Sequence, residues 1–299
     1  MKNGFKNKIA VIGSEGYIGQ SICSILKDEY SVIKYDISLG SENSTHEQVN
    51  ESDLAIICVP TPMSNVYIEI DGIKVYKADT SIVEEVVSWV DTPVIMIKST
   101  VPVGTTEYLK EKYKKRIVFS PEYLSETKYY VDERYKLQQD VKSTPQFVVG
   151  GNNDDCNYVI DLLLPALGPA KKYFKTDSKT AEFIKYKAND FLAHKVIWAN
   201  EAKEEAISLG VDWYNAWLGW GLDPRMDTMH TAVFNDNKGF AGSCFPKDLN
   251  ALAYSCTKNN FVPDLLISVL KKNLKLRNVK DYQEISGRKD KNDTSRNRK

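Results

Sequence analysis

Through the first 175 residues the apolar positions come in short unbroken runs. KIAVI (8–12), SVIKYD (31–36), LAIICVP (54–60), PVIMIKST (93–100), RIVFS (116–120) and FVVGG (147–151) are each bounded by Pro, Gly, Ser or Asp. Runs of this kind read as strands buried on both faces. Between several of them the period becomes helical. GSEGYIGQSICSILKDEY places Ile18, Ile22, Ile25 and Leu26 on one face, and TSIVEEVVSWV (80–90) is a second such segment. Strands alternating with helices predict an α/β fold built on a doubly wound parallel sheet.

After about residue 175 the pattern changes. TDSKTAEFIKYKANDFLAHKVIWANEAKEEAISLG keeps a helical period with neither Pro nor Gly before Gly210, which predicts one long helix or two in line. Its apolar positions Phe183, Ile184, Phe191, Leu192, Val196 and Ile197 form a stripe broad enough to pack against another subunit, so a homodimer through this helix is expected. VDWYNAWLGWG, PKDLNALAYSCTKN and PDLLISVLKKNLKLRN add further helices, the three Trp of the first reading as a core-packing stripe. The predicted organisation is a Rossmann-like domain over 1–175, an all-α central and dimerisation domain over 176–280, and a disordered basic tail over 281–299.

Composition narrows the function. Lys+Arg and Asp+Glu both number 40, so nothing draws the chain toward nucleic acid or an anionic membrane. No apolar run approaches the roughly 18 residues of a membrane span, and MKNGFKNKIAVIG lacks the apolar region and cleavage site of a signal peptide. Five scattered cysteines and three distant histidines (His46, His194, His230) show no metal-ligand spacing. A reduced cytoplasmic chain without a metal is expected.

GSEGYIG places Gly13, Gly16 and Gly19 between a strand and a helix, with Tyr17 and Ile18 opening the helix and Asp36 at the end of the second strand. Glycines let a backbone turn tightly against a pyrophosphate, and the helix N-terminus offers N–H groups and a positive dipole end. Asp36 would accept hydrogen bonds from a ribose and repel a 2′-phosphate, which favours NAD over NADP. The spacing is GxxGxxG rather than GxGxxG, and an ordinary strand-to-helix turn would use the same glycines.

GFAGSCFPKDL (239–249) joins these motifs. Together with GYIG (16–19), CVPTP (58–62), IKSTVPVGTT (97–106), FSPEYLSETK (119–128) and AEFIKYKANDFLAHKVIWANE (181–201), it resembles, in order, the nucleotide-sugar 6-dehydrogenase family, which includes the UDP-glucose 6-dehydrogenases. The resemblance implies oxidation of a sugar C6 alcohol to a carboxylic acid in two hydride transfers to NAD, with UDP-glucose to UDP-glucuronate the nearest case. It implies that Cys244 is the nucleophile that tethers the intermediate, first as a thiohemiacetal and then as a thioester. A helix N-terminus at Pro246 and the nearby Lys247 would favour its thiolate. Lys185 and Asn189, four apart on one helix face, would stabilise the oxyanion, and Asp248 with the lysine would order the water that takes the alcohol proton. Thr100 and Glu122 match water-positioning residues, Glu122, Lys185 and Asn189 also facing the substrate. Thr61, Thr100, Glu126 and Lys247 match cofactor contacts. Arg225 matches an arginine that reaches the substrate from the partner subunit.

Three departures accompany the resemblance. The family's C-terminal nucleotide-binding domain is expected to be missing, Ala241 stands where the family has glycine, and 231–238 do not match its substrate loop. Two alternatives therefore stand: a single-step dehydrogenase of the 3-hydroxyacid or 6-phosphogluconate type, or a catalytically weak NAD-binding remnant.

Overall fold

The computed structural model describes residues 7–124 and 141–285. In chain order the elements are β1 (Lys8–Ile12), α1 (Tyr17–Leu26), β2 (Ser31–Tyr35), α2 (His46–Asn50), β3 (Leu54–Ile57), β4 (Met63–Ile70), β5 (Ile73–Ala78), α3 (Ser81–Trp89), β6 (Ile95–Ile97), α4 (Thr105–Tyr113), β7 (Ile117–Phe119), β8 (Gln146–Gly150), α5 (Asn153–Leu167), β9 (Lys172–Thr176), α6 (Ser178–Ser208), α7 (Trp213–Trp220), α8 (Phe245–Lys258) and α9 (Asp264–Arg277). They fall into two compact units. One takes the described residues through Pro62, 79–124 and 141–185; the other takes 63–78 and 186–285. The helix α6 is shared, with 178–185 in the first unit and 186–208 in the second.

The first unit holds a seven-stranded sheet in the order β2-β1-β3-β6-β7-β8-β9. Every pairing is parallel except β7 with β8. This is the α/β architecture that the apolar runs predict. Alternation along β1 feeds two separate cores, because successive side chains of a strand point to opposite faces. Ala10 and Ile12 pack with Val83, Val86 and Val87 of α3. Ile9 and Val11 pack with Ile22 and Leu26 of α1 and Val159 and Leu163 of α5. The register pairs Ile12 with both Tyr35 and Ile57. Gly13, Asp36 and Cys58 therefore leave the sheet side by side at the carboxyl ends of β1, β2 and β3. Sequential strands diverge to either side of β1 there, which is where open α/β sheets bind ligands.

The second unit is helical but not all-α. The β4–β5 hairpin turns at Asp71 (φ 49°) and Gly72 (φ 78°), directly after Ile70 pairs with Ile73. A two-residue loop with both central φ positive is the turn whose twist suits a hairpin. Ile70, Ile73 and Val75 share a core with Leu249 and Leu252 of α8 and with Ile267, Leu270 and Leu274 of α9. The hairpin lies inside the 1–175 span but groups with the helical unit.

Other sequence expectations change in detail. The long segment forms one helix, α6. Its apolar stripe divides: Ile197 is in the core, whereas Phe183 and Phe191 are exposed. None of the residues of α7 is buried, so Trp213, Trp217 and Trp220 form a half-buried face and not a core stripe. The expected disordered tail includes residues 281–285, which the structure describes. Residues 281–285 make a capped 3-10 turn in which Tyr282 is fully buried and donates its hydroxyl to the Leu270 carbonyl (3.0 Å). The rest of the expected tail, 286–299, lies outside the described residues.

Candidate active site

Each unit holds a cluster of polar groups of its own. In the sheet unit, the turn after β1 sits close against the strand β3 exit. A Cβ on Gly13 (φ 83°) would lie 2.7 Å from the Cys58 carbonyl oxygen, and one on Gly19 would lie 2.1 Å from the Gly13 oxygen. The turn is pinned to β2 by the Gly13 N–H donating to the Tyr35 carbonyl (2.8 Å). Gly16 is the N-cap of α1, and no side chain caps that terminus. Tyr17 is half-exposed and Ile18 partly buried at the helix start.

Asp36 is held at the edge of this turn. One carboxylate oxygen accepts the Glu15 N–H (3.1 Å), and the other accepts the Ser38 N–H (3.0 Å) and hydroxyl (2.8 Å). Burial would raise its carboxyl, but the bonds from Ser38 and Glu15 outweigh it and hold the group below the usual carboxylate range. A fixed, ionised acceptor beside a glycine turn fits the ribose of NAD. Thr61 is buried and donates its hydroxyl to the Thr100 carbonyl (2.7 Å), which ties the CVPTP segment to the KST segment.

At the ends of β6 and β7 lies a buried charged cluster. The Lys185 ammonium is 3.9 Å from a Glu122 carboxylate oxygen, with both side chains nearly inaccessible. Glu122 also accepts the Leu124 N–H. Sequence reasoning missed Lys98, which is 5% exposed and donates to the Ser120 carbonyl (3.3 Å), the Ser120 hydroxyl (3.2 Å) and the Pro121 carbonyl (3.2 Å). Burial lowers this ammonium to about 8, against the pull of Glu122. The available signal was a lysine closing an otherwise apolar strand.

In the helical unit, Cys244 is the N-cap of α8 and Pro246 is in its first turn. Asp248, 2% exposed, follows one turn on, its N–H bonded to the Cys244 carbonyl (3.0 Å). Asn189 donates to one Asp248 oxygen (2.6 Å), and the Lys247 ammonium pairs with the other. Asp248 is thus one partner of the Asn189 amide. Burial pushes Cys23 and Cys156 up to about 11 and Cys58 up to about 12, and raises Cys256. Arg225 is exposed on the surface, where Asp223 holds its guanidinium (2.6 Å). Ala241 is outside the positive-φ set, which includes Gly239 and Gly242, so its backbone has no need of glycine. Glu126 lies outside the described residues.

Residues 33–164 match the UDP-glucose/GDP-mannose dehydrogenase family, NAD binding domain, and residues 179–275 match the same family's central domain. The chain belongs to this family. It is 32% identical over 236 residues to a UDP-glucose 6-dehydrogenase of Rickettsia bellii, a match covering 75% of this chain and 50% of that one. It is 30% identical over 249 residues to the UDP-glucose 6-dehydrogenase YwqF of Bacillus subtilis, covering 80% and 52%. The chain thus spans about half the length of these curated relatives. The solved structure of a UDP-glucose dehydrogenase from Pyrobaculum islandicum shares the fold, with a TM-score of 0.75 at 24% identity over 92% of this chain and 69% of that one. NAD is the cofactor that the matched domain implies, and the glycine turn, the uncapped α1 terminus and Asp36 fit it. Among the described residues no helix is long and apolar enough to cross a membrane, and no cluster of His, Cys, Asp and Glu could hold a metal ion.

Proposed function

We propose that this chain is an NAD-dependent nucleotide-sugar 6-dehydrogenase, a cytoplasmic homodimer that oxidises the C6 alcohol of a nucleotide sugar to the acid. UDP-glucose, named for both curated relatives above, is the first substrate to test. The observation that supports this reading most is the first turn of α8, which presents Cys244 as the N-cap with Asp248 buried between Asn189 and Lys247. A cysteine at a helix N-terminus is where the helix favours the thiolate over the thiol.

NAD, when bound, accepts the hydride in each of the two oxidations. Asp248 and Lys185 serve a water that takes the proton of the C6 hydroxyl in the first. The Cys244 thiolate then adds to the aldehyde carbon, forming a C–S bond and an oxyanion that Lys185 and Asn189 stabilise. Loss of hydride from that thiohemiacetal leaves a thioester on Cys244. Water positioned by Thr100 and Glu122 attacks the thioester and releases the acid and the thiolate. One alcohol and one water thus become one acid, with two NADH formed. Thr61, Thr100, Glu126 and Lys247 would complete the cofactor contacts, and Arg225 would reach the substrate of a partner subunit.

The test incubates the protein with NAD and a panel of nucleotide sugars and counts NADH per acid. Two per acid, with turnover falling at least about 10³-fold in Cys244→Ser and a sugar adduct trapped at residue 244, is the expected result. One NADH per product, with Cys244→Ser at full activity, overturns the proposal in favour of single-step chemistry.

A further inference from the structure

The β4–β5 hairpin is placed against the helix that carries Cys244, and one buried amide joins them. Tyr76 lies on β5, an edge of a two-stranded sheet, and its N–H points away from β4 to the Asn250 side-chain oxygen (3.1 Å). The amide nitrogen of Asn250 donates to the Pro246 carbonyl (2.7 Å). Asn250 is fully buried, and both ends of its amide are satisfied. Pro246 stands two residues after Cys244 and two before Asp248. The far end of Tyr76 is anchored separately, its hydroxyl donating to the Asp281 carboxylate (2.7 Å).

We propose, on the reading of Cys244 as nucleophile, that Asn250 is a positioning residue: it transmits the location of the hairpin edge to the first turn of α8 and so fixes the orientation of Cys244 and Asp248. A fully buried amide is costly unless both of its ends are bonded. Its two partners are a strand edge and the backbone that immediately follows the nucleophile. An apolar residue of equal size would fill the same space but would leave the Tyr76 N–H unpaired and the Pro246 carbonyl without its second donor. The first turn could then settle by a fraction of an ångström, and reactive geometry is sensitive on that scale.

The decisive variant is Asn250→Leu, assayed by turnover and by the pH dependence of iodoacetamide alkylation read at Cys244 by peptide mass spectrometry. The midpoint of alkylation is expected to move to higher pH by about one unit as the thiol leaves the helix terminus. The kcat is expected to fall about 10–100-fold, with the KM for NAD nearly unchanged. Asn250→Ser keeps a hydroxyl for the Pro246 carbonyl but cannot reach Tyr76; it should move the midpoint in the same direction, and it carries the test if the leucine variant does not fold. Tyr76→Phe, which loosens the hairpin only at Asp281, should lower the thermal midpoint and leave the alkylation profile in place. Folded Asn250 variants with the wild-type profile and kcat would overturn the proposal and leave Asn250 a purely structural link. Full turnover in Cys244→Ser would instead overturn the underlying reading.

Discussion

Gly19 shows how much a single residue decides in the cofactor turn. Its missing Cβ lets α1 start against the Gly13 carbonyl, and an added methyl would sit 2.1 Å from that oxygen and 2.8 Å from the Ser14 Cα. Gly19→Ala must therefore push the turn away from the helix. We expect a stability loss of about 1–3 kcal/mol and at least a tenfold weaker Kd for NAD, read by fluorescence titration; unchanged affinity would count against the turn as the pyrophosphate site. The three glycines and Asp36 were legible in the sequence because their chemistry is local: a tight turn needs glycine, and a strand end places an acid. Lys98 was not, because its role comes from the carbonyls of Ser120 and Pro121 on a neighbouring strand exit. Nor was the bond from Asn189 to Asp248, because the two residues lie 59 apart in the chain.

At the level of elements, Glu182 on α6 ties that helix to the start of α4. It is fully buried and accepts the Gly104 N–H (2.5 Å), the Thr106 N–H (2.8 Å) and the Thr106 hydroxyl (2.6 Å). Burial nonetheless raises its carboxyl from 4.5 to about 7, the three donors opposing the shift. Between those values the folded chain keeps a proton that the unfolded chain has released. The Glu182 contribution to stability is therefore constant below about 4.5, falls as the pH rises toward about 7, and is level above. Its size is on the order of 3 kcal/mol at most. Denaturation midpoints measured from pH 5 to 7.5 should fall more steeply for the wild-type chain than for Glu182→Gln. Parallel slopes would mean that the carboxyl titrates elsewhere. The hairpin carries the lesson about elements. The sequence reading passed over this hairpin, although Asp-Gly between apolar residues in IDGI is a local turn signal. What no local pattern could say was that the strands around it would pack on α8, because that contact depends on Leu249 and Leu252, more than 170 residues further along the chain.

For the whole molecule, the described residues leave several large apolar side chains exposed. In the helical unit Phe191, Trp198, Ile207 and Leu218 are all between 49% and 67% exposed. Phe191 and Trp198, seven residues apart on α6, share one face of that helix, and this exposed pair is the reason for the proposed homodimer. Trp198→Glu is expected to shift the protein to monomers in sedimentation velocity at micromolar concentrations. A wild-type protein that is monomeric under the same conditions would remove the dimer from the proposal. The balanced charge of 40 basic and 40 acidic residues gives no long-range steering toward this face, so burial of the apolar surface would drive association.

By itself the sequence determined the alternation of buried strands and helices, the glycine turn with its acid, the unbroken helical period after residue 175 and the cysteine at the start of another helix. Each of these follows from the period of the apolar positions or from the preferences of one residue within a few neighbours. The structure decided that the long period is one helix and not two in line. The tertiary structure alone decided that residues 63–78 belong to the helical unit, that Asp248 is shared by Asn189 and Lys247, that Lys98 is buried under the Ser120–Pro121 carbonyls and that Tyr282 closes a core. Those outcomes depend on groups far apart in the chain meeting where water is excluded. The partner that satisfies a buried polar atom there is chosen by the fold, and the local pattern contains no record of it.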